Sequence, residues 1–140
     1  MNNLQCDSIN HEKFFTSINK NWPIRKPYSI VDAVKLLDTI ADENFKCTIV
    51  KMSDIDLYFN LGLKIRNEWV RHGTDSINNE LFYKLKLDNI DYSSGLIIAI
   101  FRDYLLNRLE LAKTYSKRTN DTYEKEIKKQ LMKIQTDLLH

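Results

Sequence analysis

Glycine and proline are scarce in this chain, three and two residues in 140, and both prolines, Pro23 and Pro27, precede residue 28. So few helix breakers, with many Leu, Ile and Lys, point to an all-α domain. With Gly62, Gly73 and Gly95 far apart, no glycine-rich phosphate loop can form. Cysteine is almost missing: Cys6 and Cys47 are isolated and fit no metal-ligand spacing. They are expected as two reduced thiols of a cytoplasmic protein. His11, His72 and His140 are scattered, and His11-Glu12 lacks the second histidine of a zincin pair. The start shows no charged leader followed by an apolar run, and the longest apolar run, residues 96–101, is too short to cross a bilayer. The expectation is a soluble, intracellular protein with no cofactor, no metal and no membrane partner.

Charge of one sign is also lacking, with 21 basic against 19 acidic residues. Residues 101–140 hold nine Lys or Arg against six Asp or Glu, and the acidic residues are interleaved. That pattern suits a solvated helix face better than a nucleic-acid surface. Fifteen Lys against six Arg, with many Asn and Ile, fits AT-rich coding. A chain of this length is expected to form one domain, residues 1–140, with a genuine core.

What is present centres on residues 53–73, SDIDLYFNLGLKIRNEWVRHG. Leu57, Phe59, Leu61, Leu63 and Ile65 alternate, a strand signal. Three features outweigh it: Ser53 and Asp56 form a capping box, Gly73 stands at a C-cap position, and Arg71 and His72 lie in the last turn. A helical wheel groups Asp56, Asn60, Lys64, Asn67 and Arg71, with Glu68 at the margin. The opposite arc, Ile55, Tyr58, Phe59, Leu61, Leu63, Ile65, Trp69 and Val70, covers well over half the circumference. Such a helix should have neighbours on more than one side. Gly62 and Arg66 interrupt the arc. A guanidinium there needs a carboxylate or several carbonyl acceptors, and Asp91 is the preferred partner.

Around this helix the chain reads as follows. Residues 8–20 form a short helix with Ile9, Phe14, Phe15 and Ile18 inward, and Trp22 anchors the extended proline segment to the core. Ser29 with Asp32 starts a helix to about Ala41. Residues 42–52 lean to helix over strand. A helix from Asp75 or Ser76 to about Lys86 buries Ile77, Leu81, Phe82 and Leu85. Asp88, Asn89 and Asp91 form a turn, and Ser93 or Ser94 starts a second long helix with Leu96, Ile97, Ile100, Phe101, Tyr104, Leu105, Leu109 and Ala112 on its apolar face. Asp121 with Glu124 caps the last helix, whose narrow stripe of Tyr123, Ile127, Leu131, Ile134 and Leu138 reads as packing on its own domain or as a homodimer seam through residues 121–140. The architecture expected is a single-domain bundle of about five to seven helices around two long central ones.

Leu61 to Trp69, LGLKIRNEW, then Gly73, a short helix and the run IDYSSGLIIAIFRDYL from Ile90 to Leu105 resemble a bacterial family of small uncharacterised domains. The resemblance covers about residues 22–108, with Ile90 where the family carries a proline. It leaves residues 113–140 as a C-terminal helical extension. It implies no activity, but gives a reason to treat Arg66, Asn67, Trp69 and Asp91 as one cluster.

Asp54-x-Asp56 and Asp88-x-x-Asp91 read as helix-start and turn residues rather than metal ligands or an acid/base pair. The function expected is therefore non-catalytic: an immunity protein or antitoxin that neutralises a cognate toxin, such as a basic nuclease, by direct binding through Asp54, Asp56, Tyr58 and Asp88. A regulatory domain holding an anion near Arg66 is the alternative, and an enzyme using Arg66 and Asp91 is the third.

Overall fold

The computed structural model describes residues 6–70, 76–81, 85, 90–116 and 122–139. Among them the chain is all-helical, with eight helices rather than five to seven. These are α1 (His11–Lys20), α2 (Ile30–Ile40), α3 (Glu43–Lys51), α4 (54–70), α5 (Ser76–Asn79), α6 (Ile90–Leu105), α7 (Glu110–Ser116) and α8 (Thr122–Leu139). No helix among them is long and apolar enough to cross a membrane.

The helix starts follow local chemistry. Asn10, Ser29, Asp42 and Ser53 each take extended backbone and accept a hydrogen bond from the amide three residues on, which satisfies a free N–H of the first turn. Residues 42–52 are thereby settled as helix. At α2 the cap is reinforced. Glu80 Oε1 accepts from Ile30 N at 2.6 Å, Asp32 accepts from Tyr28 N, and Arg25 grips Asp32 through two bonds of 2.6 and 2.8 Å.

α4 is where the sequence pattern and the fold diverge most usefully. It begins as an α-helix over Asp54–Leu57, widens to π-helical turns at Tyr58–Gly62 and Arg66–Val70, and returns to α geometry over Leu63–Ile65 between them. A π turn bonds i to i+5 and takes more residues than the 3.6 of an α turn. Mixing the two gives a repeat close to four. The burial pattern shows it: Leu57, Leu61, Ile65 and Trp69 are all buried, Gly62, Arg66 and Val70 lie beside them, and Ile55, Phe59, Leu63 and Asn67 all face outward. The wheel drawn at the α period placed Ile55, Phe59 and Leu63 in the buried arc. The wider turns move them to the surface.

The core joins Phe14 to Phe45, with ring centroids 4.8 Å apart, and Trp22 to Trp69 at 4.7 Å. Each fully buried side chain of this kind contributes about 1.5–3 kcal/mol. Phe14, Ser17 and Ile18 form the inner face of α1, whereas Phe15 is exposed. Trp22 anchors the proline segment as expected. Ile77, Leu81 and Leu85 are buried as read from the sequence; Phe82, Asp88, Gly73 and the Asp121 cap lie outside the described residues.

Three expectations need correction. Cys6 and Cys47 are not separate thiols: they form a disulfide across 41 residues, with Cα atoms 5.3 Å apart. The packing of α1 on α3 brings them together, and Asn10 and Asn44 exchange hydrogen bonds of 2.7 and 3.0 Å at the same junction. Asp91 is not a turn residue, because α6 starts at Ile90 and holds it in the first turn. The second long helix does not run through Ala112. It stops at Leu105, Asn107 takes a left-handed conformation (φ 52°), and α7 begins at Glu110.

Asp103 explains that break. Its buried carboxylate accepts from Arg108 Nε (2.8 Å), Leu111 N (2.9 Å) and Gln135 Nε2 (2.8 Å), while Gln135 Oε1 accepts from Ala112 N at 3.0 Å. The free amides at the start of α7 are thus capped from α6 and α8. Ile127, Leu131, Ile134 and Leu138 are buried, and α8 packs on α2, α6 and α7. These four residues of the stripe that suggested a homodimer seam pack within the chain itself.

Asp103→Ala would leave the Gln135 amide and the Leu111 N–H buried without their acceptor. We expect a loss of about 3 kcal/mol in urea unfolding, far more than an exposed Asp→Ala change. At α2, the hydrogen bonds from Arg25 hold the Asp32 carboxyl below the usual carboxylate range, against the opposing effect of partial burial. A depressed folded value stabilises above the unfolded pKa, about 3.9, and that contribution fades as pH falls through the folded value. The urea midpoint should therefore drop more between pH 5 and 3, roughly the span of this titration, in the wild type than in Asp32→Asn.

Candidate functional site

Arg66 sits in the second π turn of α4 and faces α6, 4% exposed. Its guanidinium lies 4.0 Å from the centre of the Tyr58 ring. Nη2 donates to the Tyr58 carbonyl (3.1 Å), Nη1 donates to Ser94 Oγ (3.2 Å), and Nε stands 3.5 Å from Asp91 Oδ1. Ser94 Oγ in turn donates to the Asp91 carbonyl at 2.9 Å. A buried guanidinium is tolerable here because a π face, a carbonyl, a hydroxyl and a carboxylate share its charge and its donors. Gly62 makes the space: a Cβ there would stand 3.0 Å from Arg66 Nη1 and 3.2 Å from the Leu57 carbonyl.

Outside Ser94 and Tyr58, a groove of about 300 Å³ opens between the start of α4 and α6, lined by Asp54, Tyr58, Ser94, Gly95, Ile98, Ala99 and Arg102. Arg102 builds its far wall. It donates to the Ile49 carbonyl (3.0 Å), the Met52 carbonyl (3.0 Å) and Asp54 Oδ1 (2.7 Å), so one side chain caps the end of α3 and fixes the start of α4. Asp54 keeps 90% of its side chain exposed at the rim. Asp91 is half-buried near Ser94, and Tyr92, exposed, shares a face of α6 with Gly95 and Ala99 at spacings of three and seven.

Among the described residues nothing requires glycine at position 95. A Cβ there would meet nothing within 4 Å. A glycine inside a helix costs about 1 kcal/mol against alanine, and at Gly95, unlike Gly62, no packing among the described residues offsets that cost.

The residues expected to cluster are divided. Arg66 and Asp91 do meet. Trp69 is in the core against Trp22, and Asn67 lies on the outer ridge of α4, where it lines a second groove with Phe15, Phe59 and Leu63. The period-four repeat separates them. It also separates the proposed toxin-facing residues: Asp54 and Tyr58 line the first groove, while Asp56 lies on the polar ridge with Asn60, Lys64 and Glu68 and accepts from Ser53 Oγ. Arg102 and Ile98 were not singled out by the sequence reading; a cation one residue before a carboxylate on an apolar helix was the available signal.

Gly62→Ala tests this geometry by sign. On an ordinary helix the change would stabilise by about 1 kcal/mol; here the methyl group displaces the guanidinium, and we expect destabilisation of about 1–2 kcal/mol by chemical denaturation.

No curated protein and no solved structure is similar to this chain. Residues 26–105, which include α2, α3, α4, α6 and both walls of the groove, match the family described as Domain of unknown function (DUF6794), and the chain belongs to that family.

Proposed function

We propose that this helical domain, organised around the α4–α6 pair, is a non-catalytic binding protein that neutralises a cognate toxin by covering it with the α4–α6 groove. The observation that carries the reading is Gly95: a helix-interior glycine on the groove floor, open to solvent, is uncompensated among the described residues and suits close approach by a partner's backbone. The rim chemistry indicates the partner's character. Tyr58 and Tyr92 supply aromatic surface, and the carboxylates of Asp54 and Asp91, each paired with an arginine of the chain, keep an exposed side for a basic loop or helix such as a nuclease presents.

The anion-binding alternative has less support, since the four partners of Arg66 already occupy its guanidinium. The disulfide bears on where the protein acts. A Cys6–Cys47 bond persists in an oxidising compartment and opens in a reducing cytosol. Cytoplasmic residence, read from the sequence, thus has the disulfide against it, while toxin neutralisation is compatible with either compartment.

The test is co-purification of the full chain with the toxic domain encoded beside it, followed by calorimetry with two Gly95 variants. Gly95→Ala should raise unfolding stability by up to about 1 kcal/mol, while Gly95→Trp, which fills the groove, should weaken a one-to-one complex by about 100-fold or more. A complex indifferent to Gly95→Trp would remove the groove from the proposal, and a well-folded chain that forms no complex would remove the toxin.

A further inference from the structure

The outward ridge of α4 has no place in that reading. Ile55, Phe59 and Leu63 are 65, 62 and 45% exposed at four-residue spacing, and Phe15 of α1 extends the same apolar surface across a groove of about 350 Å³. Three large apolar side chains in one row on one helix are more than the scattered exposure ordinary for a protein surface.

The row is arranged as a near palindrome. About Phe59, Ile55 and Leu63 stand four residues to either side. A two-fold axis through Phe59 would set Phe59 against its own copy and Ile55 against Leu63 of the second chain, the self-complementarity an isologous contact requires. The flanking polar ridge is centred one residue along, at Asn60, about 1.5 Å from that axis. It reads Asp56, Asn60, Lys64, Glu68, acidic at one end and basic eight residues later. In an antiparallel pair such a flank meets its own copy reversed, so that Asp56 faces Lys64 and Asn60 faces Asn60.

From this charge pattern and the symmetric apolar row, we infer that the outer ridge of α4 is an antiparallel two-fold interface with a second copy of this chain, centred on Phe59. The Lys64–Glu68 ion pair within the chain, at 3.6 Å, leaves the ammonium near the surface to take the second carboxylate. The interface is centred on a different ridge from the groove floor at Gly95, although Phe59 touches Tyr58 of the near wall, their ring centroids 5.0 Å apart.

Sedimentation velocity of the full chain over a rising concentration series tests this. The wild type should shift from monomer to dimer. Phe59→Glu should stay monomeric with an unchanged helical circular dichroism spectrum. Asp56→Lys and Lys64→Asp should each weaken the dimer, and the double variant Asp56→Lys/Lys64→Asp should restore it. That reciprocal rescue keeps Phe59 in place and changes only polar side chains outside the core, so it decides the matter even if Phe59→Glu folds poorly. A wild type monomeric at every concentration, a dimer retained by Phe59→Glu, or charge reversals without rescue would overturn the inference. Gly95→Trp should leave the sedimentation unchanged, which separates this outcome from the toxin reading.

Discussion

The wider turns of α4 decide which side chains of this protein meet. A helix whose repeat is close to four residues presents four straight ridges instead of ridges that drift around the axis. Leu57, Leu61, Ile65 and Trp69 stay in the core for four turns; Tyr58, Gly62, Arg66 and Val70 stay toward α6; the other two ridges stay outside. An α-helix of the same sequence would carry each row progressively away from its neighbour. The groove, the Arg66 pocket and the exposed apolar row all follow from that one geometric fact, as do the separate fates of Asp54 and Asp56.

Two buried or half-buried arginines hold the geometry, and they do it through carbonyl groups. Arg66 donates to the carbonyl of Tyr58, the residue that opens the first π turn, and Arg102 donates to two carbonyls at the end of α3. A planar fork with several donors suits both tasks, where an ammonium would supply one compact charge. Gly62 is the counterpart of Arg66, since the guanidinium fills the volume a side chain would take. Gly95, one residue past Ser94 on the facing helix, has the opposite character. It faces open space, and its cost to the helix points outward to a partner.

The family portion ends at residue 105, yet the structure does not come apart there. Asp103, inside it, accepts from Leu111 and Gln135, outside it, and the α8 stripe covers α2 and α6. The C-terminal helices therefore act as part of the same core. At the other end, the Cys6–Cys47 disulfide and the paired Asn10 and Asn44 tie the leading segment to α3. Both ends brace the helices that form the groove without lining it.

Much of the helical content was legible in the sequence. Ser29 and Ser53 announce helix starts through short-range hydrogen bonds, Pro23 and Pro27 mark the connection, and an arginine inside an apolar arc signals a buried ion pair. The Arg66–Asp91 contact could be anticipated because an isolated guanidinium is too costly to bury. Other features were not legible, because they depend on partners distant in sequence. The π turns arise where Arg66, Ser94 and Ile98 pack around Gly62, so their effect on which residues point outward is invisible to a wheel drawn at 3.6 residues per turn. The break at Asn107 depends on the acceptors Asp103 offers to Leu111 and Gln135, and the pairing of Cys6 with Cys47 depends on α1 lying against α3. Local chemistry in the sequence determined where helices begin and which charge needed a partner. The tertiary structure alone decided how each helix is turned toward its neighbours, since that orientation is set by contacts between residues far apart in the chain.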